Sequence, residues 1–397
     1  MEVKLGYKQT EVGVIPEEWD VSTVGREFEI KLGKMLDAEK NVGVPKPYLG
    51  NRAVQWDRID ISDLPTVPMS RADIKRFRLQ KGDLLACEGG EVGRAAIWDA
   101  PIEECYYQKA LHRLRPLRGF DSRLMVALLR QWSDRGLLAN YVTQTSIAHL
   151  PREKFVEVPM PVPPPPEQRA IAGVLSDVDT LIGALDQLIA KNRDLKQATM
   201  QQLLTGQKRL PGFHGEWEVK RLGEIAEIVM GQSPSSSNYN AKGVGLPLIQ
   251  GNADIANRKT IRRIFTTEIT KRGKCGDILM SVRAPVGEIS RAAFDVCLGR
   301  GVCAIRYDND FMYHYLISQE PSWTKLSKGS TFDSVNSVDV KALEIHLPIN
   351  TDEQTAIAEV LSDMDAELAA LEQRCDKTRA LKQGMMQELL TGRTRLV

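Results

Sequence analysis

The strongest constraint on this chain is that it repeats itself. The segment Glu167-Gln168-Arg169-Ala170-Ile171-Ala172-Gly173-Val174-Leu175-Ser176-Asp177-Val178-Asp179 returns as Glu353-Gln354-Thr355-Ala356-Ile357-Ala358-Glu359-Val360-Leu361-Ser362-Asp363-Met364-Asp365, an offset of 186 residues. The register holds without a gap to Leu195-Lys196-Gln197 and Leu381-Lys382-Gln383, and again at Leu203-Leu204-Thr205-Gly206 and Leu389-Leu390-Thr391-Gly392. The preceding stretches match more loosely. Trp19, Gly25 and Gly33 align with Trp217, Gly223 and Gly231, and Gly50-Asn51 aligns with Gly251-Asn252. Gly82-Asp83-Leu84-Leu85 aligns with Gly276-Asp277-Ile278-Leu279, and Lys109 and Arg115 align with Arg300 and Arg306. The offset drifts among these pairs, so loops of unequal length hang on one scaffold. A period this long marks a duplicated domain rather than a solenoid.

Four segments follow: residues 1–160, 161–208, 209–349 and 350–397. The six prolines between Pro159 and Pro166 form a stiff boundary that is excluded from helix interior. Apolar residues recurring at three- and four-residue steps predict helices over 167–205 and 353–391, with Gly206 and Gly392 as their closing glycines. Each helix is roughly 57 Å long at 1.5 Å per residue. One leaves the first globular segment and the other leaves the second, so the pair is expected to run antiparallel. The expected seam and partner surface is Ile171, Val178, Leu185 and Leu195 with Ile357, Met364, Leu371 and Leu381. The alternative is that each helix packs on its own domain. Short β-like runs at 83–87, 110–115, 277–282 and 302–306, with helices near 122–130 and 311–317, make the heads mixed. The expected fold class is therefore α/β (α+β): two globular heads separated by a two-helix antiparallel coiled-coil spacer, with a pseudo-twofold internal repeat.

Composition limits the function. The 397 residues are 42% hydrophobic and 26% charged, as in ordinary folded proteins. No apolar run reaches membrane-spanning length, and Met1–Thr10, with Lys4 and Lys8, is not read as a secretory signal. Six cysteines without a CxxC pair read as reduced thiols in the cytoplasm. There is no P-loop, no GxGxxG opening a helix, no HExxH and no G-x-S-x-G elbow. The glutamates of Glu88-Gly89-Gly90-Glu91-Val92-Gly93 would repel phosphate, so that piece reads as a hairpin turn. The five histidines and six cysteines show no metal-ligand spacing. The chain is read as non-catalytic and metal-free, which leaves recognition. A net charge of +1 argues against a lone DNA binder but leaves room for a reader whose partners supply the clamp.

Residues 205–350 are modestly basic, with 19 Lys and Arg against 15 Asp and Glu. The pairs Lys109/Arg300 and Arg115/Arg306 keep their charge across the copies and are candidates for phosphate or base-edge contacts, against the plainer reading of surface charge. Asn51, Arg52, Asn252 and Arg283 join them, with the polar loop residues Thr145, Ser146, Gln232, Ser233, Asn238, Thr331 and Ser334. Such residues make turns as often as base contacts.

The helix opening Glu-Gln-x-x-Ile-Ala-x-Val-Leu-Ser-Asp-x-Asp and closing Leu-Lys-Gln…Leu-Leu-Thr-Gly resembles the repeated regions of type I restriction–modification specificity subunits. Ile15-Pro16-Glu17-Glu18-Trp19, Gly215-Glu216-Trp217 and the Gly-Asp-[Leu/Ile]-Leu elements resemble that family as well. The resemblance covers the whole chain. It implies two target-recognition domains, each reading one half of a split, asymmetric double-stranded DNA target. It also implies a helical spacer that sets the distance between halves and docks two methyltransferase subunits, through which restriction and translocase subunits join. S-adenosylmethionine, ATP and Mg would belong to those partners. The competing reading from another class is a non-enzymatic coiled-coil scaffold whose two heads bind proteins or glycans.

Overall fold

The computed structural model describes residues 5–37, 39, 41–144, 148–329 and 334–396. Its contacts divide the chain into two units. Unit 1 is 1–185 with 374–397, and unit 2 is 186–373. This division runs differently from boundaries at 160, 208 and 349, because each long helix gives residues to both units.

Both units are built on the same mainly antiparallel sheet. In unit 1 its strand order is Ala95–Ile97, Leu84–Cys87, Leu111–Pro116, Phe28–Leu32; in unit 2 the matching run is Ile289–Arg291, Ile278–Ser281, Val302–Arg306, Glu227–Met230. A second sheet in each unit contains one parallel pair, Tyr106–Tyr107 beside Val44–Leu49 in unit 1 and Val296–Leu298 beside Leu246–Ile249 in unit 2. A helix, Ser122–Asp134 or Phe311–Gly329, belongs to each unit. The heads are therefore α+β.

The long helices span Pro165–Leu204 and Thr351–Leu389. Their apolar residues enter cores in matched sets. Ile171, Ala172 and Leu175 lie in the unit 1 core with Met386, Leu389 and Leu390. Ile357, Ala358 and Leu361 lie in the unit 2 core with Met200, Leu203 and Leu204. Every member of one set is the other's counterpart at an offset of 186.

The rest of the repeated motif closes these ends. In unit 1 Arg395 Nε donates to buried Glu167 at 2.6 Å, and in unit 2 the Arg209 guanidinium holds buried Glu353 in the same way. Gln168 and Gln354 each donate to the carbonyl of a preceding proline, Pro163 or Pro348, at 2.8 Å. Their oxygens accept from the segment that opens the head's helix: Asp121 N in unit 1, Tyr307 and Asn309 in unit 2. Further along, Lys382 pairs with Asp179 at 2.5 Å in unit 1, and Lys196 pairs with Asp365 in unit 2. Rising numbers on one helix meet falling numbers on the other inside each unit, so the helices run antiparallel.

Two expectations need correction. Leu195 and Leu381 do not enter the seam; they are 54% and 60% exposed. The adjacent residues Lys196 and Lys382 turn inward instead, because one residue along a helix rotates the side chain by about 100°. Ile171, Leu185 and Ile357 are buried, while Val178, Met364 and Leu371 are half-buried. The proline run is not only a boundary. Pro159–Val162 is a strand paired with Asp20–Thr23 alone, and Pro165 and Pro166 open the first long helix, where a missing N–H costs no hydrogen bond.

The two closures differ in their further contacts: Arg395 also donates to Glu18, and Arg209 to the carbonyl of Gly215, both at 2.8 Å. Trp19 Nε1 donates to Glu167 at 2.8 Å, whereas the buried Trp217 Nε1 has no partner among the described residues. Glu167→Ala strands the Trp19 indole N–H and leaves Arg395 with Glu18 alone, whereas Glu353→Ala leaves Arg209 on the carbonyl of Gly215 and strands no indole. Glu167→Ala is therefore expected to cost about 1 kcal/mol more than Glu353→Ala. Urea unfolding of the two variants checks this; equal losses would count against it.

Candidate nucleic-acid interface

The Gly-Asp-[Leu/Ile]-Leu element is a strand entry. Asp83 Oδ2 accepts from Gln80 N, and Asp277 Oδ2 accepts from Lys274 N, both at 2.8 Å, so each carboxylate caps its own turn. Both are buried and need cations. Arg115 donates to Asp83 through Nε and Nη2, at 2.5 and 2.9 Å. Arg306 donates to Asp277 through Nε at 3.1 Å and to Glu227 through Nη1 at 2.8 Å. Arg115 and Arg306 are thus strand ties, which corrects their candidacy as DNA contacts: guanidinia spent on buried carboxylates are not presented to a ligand.

Lys109 and Arg300 have a different setting. Each is exposed in the turn that enters the central strand. Lys109 N donates to Lys34 O at 2.8 Å, and Arg300 N donates to Ser233 Oγ at 3.2 Å. The backbone crossing beneath each turn is glycine by necessity. A Cβ on Gly33 would lie 2.4 Å from the carbonyl oxygens of Tyr107 and Gln108, and one on Gly231 would lie 2.1 Å from that of Gly299.

Three loops converge at this turn in both units. Glu88 N donates to Ala110 O at 2.9 Å while Glu88 O accepts from Leu150 N at 2.7 Å. In unit 2, Val282 N donates to Gly301 O and Val282 O accepts from Val335 N, both at 2.9 Å. The loops 88–94 and 282–288 are thereby held between the basic turn and a returning segment. Bridges Gly89–His149 and Arg283–Ser334 extend the junctions. Asn51 Nδ2 donates to Gly89 O at 2.8 Å. The side-chain oxygens of Asn51 and Asn252 are buried with no partner among the described residues. Arg52, Arg283, Gln232 and Ser334 are exposed. Asn238 donates to Glu268 at 2.8 Å, tying its loop to the one that follows Phe265–Thr266. Thr145, Ser146 and Thr331 lie outside the described residues.

The junctions differ in charge. Glu88 in unit 1 stands where unit 2 has Val282, and burial pushes the Glu88 carboxyl up against the opposing pull of His149 and Lys109. Unit 2 adds Arg283. Among the described residues, no group of three or more His, Cys, Asp and Glu is placed to hold a metal. Burial pushes the thiols of Cys87, Cys105 and Cys303 up to about 11, 12 and 12. No described helix is long and apolar enough to cross a membrane.

Two findings from outside this chain bear on the duplicated junctions. The model of the type I restriction modification DNA specificity domain matches twice, at residues 16–191 and 214–379. The chain belongs to that family. It is 30% identical over 98% of its length to a chain named for the specificity subunit of the type I restriction enzyme MjaX of Methanocaldococcus jannaschii, 97% of which is covered. It is 25% identical to the MjaVIII specificity subunit of the same organism, over 96% of this chain and 94% of that one. In fold, it is similar to the S subunit of a type I restriction-modification system from M. genitalium, with a TM-score of 0.64, 16% identity and 98% of both chains covered. A type I system subunit solved in a study of complex assembly gives a TM-score of 0.60 at 24% identity, over 95% of this chain and 99% of that one. The chain is a specificity subunit of this class, and the scaffold alternative is not favoured.

The histidine that supports the unit 1 junction carries a pH signature. His112 Nε2–H donates to Leu150 O at 2.9 Å, and its Nδ1 is buried with no partner among the described residues. Protonation would create an unpaired buried cation, so burial pushes this pKa down to about 4. The unfolded ring titrates near pH 6.5. Its contribution is therefore complete above about pH 6.5 and is lost as pH falls from there towards 4. His112→Gln is expected to remove about 2 kcal/mol of the stability lost between pH 7 and pH 5, read from urea midpoints. An unchanged pH slope would refute the assignment.

Proposed function

We propose that each unit reads one half of a split, asymmetric DNA target through its three-loop junction, while the long helices fix the distance between the halves. The observation that carries this reading is the repetition of one junction, with its exposed cation Lys109 or Arg300, on scaffolds matched strand for strand. The loops around the junctions differ in length and charge, which favours two unlike half-targets. Two reading heads on B-DNA suit half-sites about 34 Å apart, one helical turn. The helices also dock two methyltransferase subunits. Supporting this, Leu188 and Leu195 stand exposed seven residues apart on the part of the first long helix that belongs to unit 2, a spacing that suits a further helix. Restriction and translocase subunits join through the methyltransferases. The chain itself performs no catalysis; S-adenosylmethionine, ATP and Mg are bound by the partners, in the cytoplasm. The net charge of +1 fits a reader whose partners close a positive channel around the duplex.

The test uses the chain assembled with the modification subunits of its system. Replacing the loop 232–240 is expected to change one half of the methylated sequence and leave the other intact. Methylation mapping that shows both halves altered would overturn the modular reading. Lys109→Ala and Arg300→Ala are each expected to weaken DNA binding evenly across sequences and to lower the salt slope by about 1. Salt titrations of affinity with unchanged slopes would remove both residues from the phosphate contacts.

A further inference from the structure

A second repeated device lies beside each of the loops 88–94 and 282–288. Val54–Gln55 and Arg58–Ile59 form a two-residue hairpin in unit 1, and Ile255–Ala256 and Lys259–Thr260 form its counterpart in unit 2. Asp57 occupies the second turn position with φ 62°, and Arg258 occupies the same position with φ 58°. Both are non-glycine residues in the left-handed region, as such tight hairpins require.

The two tips reach the helix of their own unit with opposite charge. Asp57 Oδ2 accepts from Arg130 Nη1 at 2.7 Å, and Lys382 Nζ stands 3.7 Å from the same oxygen. Arg258 donates to Glu320 through both nitrogens, at 2.6 and 2.8 Å. Each tip also grips the strand that leaves that loop. Asp57 N donates to Ala95 O at 3.1 Å. Arg258 Nη1 donates to Ile289 O at 2.9 Å, and Ile289 N donates to Glu320 Oε1 at 2.8 Å. Ala95 and Ile289 are counterparts at the offset that relates Asp83 to Asp277.

We propose that Asp57–Arg130 and Arg258–Glu320 are positioning pairs of opposite polarity that fix the exits of loops 88–94 and 282–288, and so the pose in which each unit reads DNA. The proposal rests on the reading above. Glu88 and Val282 fix the loop entries through backbone bonds; at the exits the tip adds to the strand bonds Cys87 N to Arg94 O, at 2.8 Å, and Ser281 N to Glu288 O, at 2.9 Å. A tip matches its own helix and repels the other copy's: Asp57 set against a glutamate, or Arg258 against an arginine, places like charges together. Half-exposed ion pairs add little global stability, so the effect of breaking one is local.

Unit 2 gives the cleaner test, since no lysine of the long helices shares its tip contact among the described residues. In the full chain, Arg258→Glu and Glu320→Arg are each expected to speed amide exchange at 282–288 by about tenfold, with Tm within about 4 °C of wild type. The double variant is expected to return exchange to within about twofold of wild type. In the complex with modification subunits, the singles are expected to relax methylation specificity in one half of the target only, and the double to restore it. Glu320→Gln, which keeps the length and loses the charge, stands in if a reversal does not fold. Unchanged exchange in the singles, or a double no better than they are, overturns the proposal. So does faster exchange with an unaltered methylation profile. If the wild-type complex methylates without sequence preference, the reading of the previous subsection falls, and this proposal falls with it.

Discussion

Each unit depends on one constraint: its core is finished by the start of one long helix and the end of the other. The carboxylate at a helix start is buried, and the arginine that neutralises it follows the end of the opposite helix, as in Glu167–Arg395 and Glu353–Arg209. A buried carboxylate without its cation is among the costliest defects a fold can carry. The closure therefore specifies which helix ends meet and in which direction. The matched apolar sets around Ile171 and Ile357 then fill the space between.

On this base the heads separate two tasks. The strand entries at Asp83 and Asp277 use their arginines internally, so the ties between these strands do not involve the loops. The loops are fastened mostly by backbone hydrogen bonds, at Glu88 and Val282 and at the turns of Lys109 and Arg300. Backbone fastening is indifferent to side-chain identity. The residues presented outward are thus free to differ while the junction persists.

The legible part of this molecule was the part that repeats. The 186-residue register identified both helices to within two residues at each end, and the aligned strands and closing glycines fell where the pattern put them. Helix phase was less legible. Leu195 looked like a seam residue by hydrophobicity, yet the seam at that level is a lysine stem whose ammonium reaches an aspartate. Charge alone also misled at Arg115 and Arg306, because a linear sequence does not show that a buried aspartate waits on the next strand. The hairpin tips escaped notice for a further reason: Asp57 and Arg258 match in position but not in chemistry, and a comparison of like residues passes over a reversal of sign.

The units also differ in how they are strung along the chain. Unit 2 is one unbroken stretch, 186–373, whereas unit 1 takes its last strip from 374–397. During synthesis the ribosome therefore delivers everything unit 2 needs while unit 1 still lacks Met386, Leu389, Leu390 and Arg395. The usual vectorial order, in which the amino-terminal domain matures first, is reversed here. The amino-terminal half keeps an open core and an unneutralised Glu167 until that last strip has emerged, long after unit 2 has all of its chain.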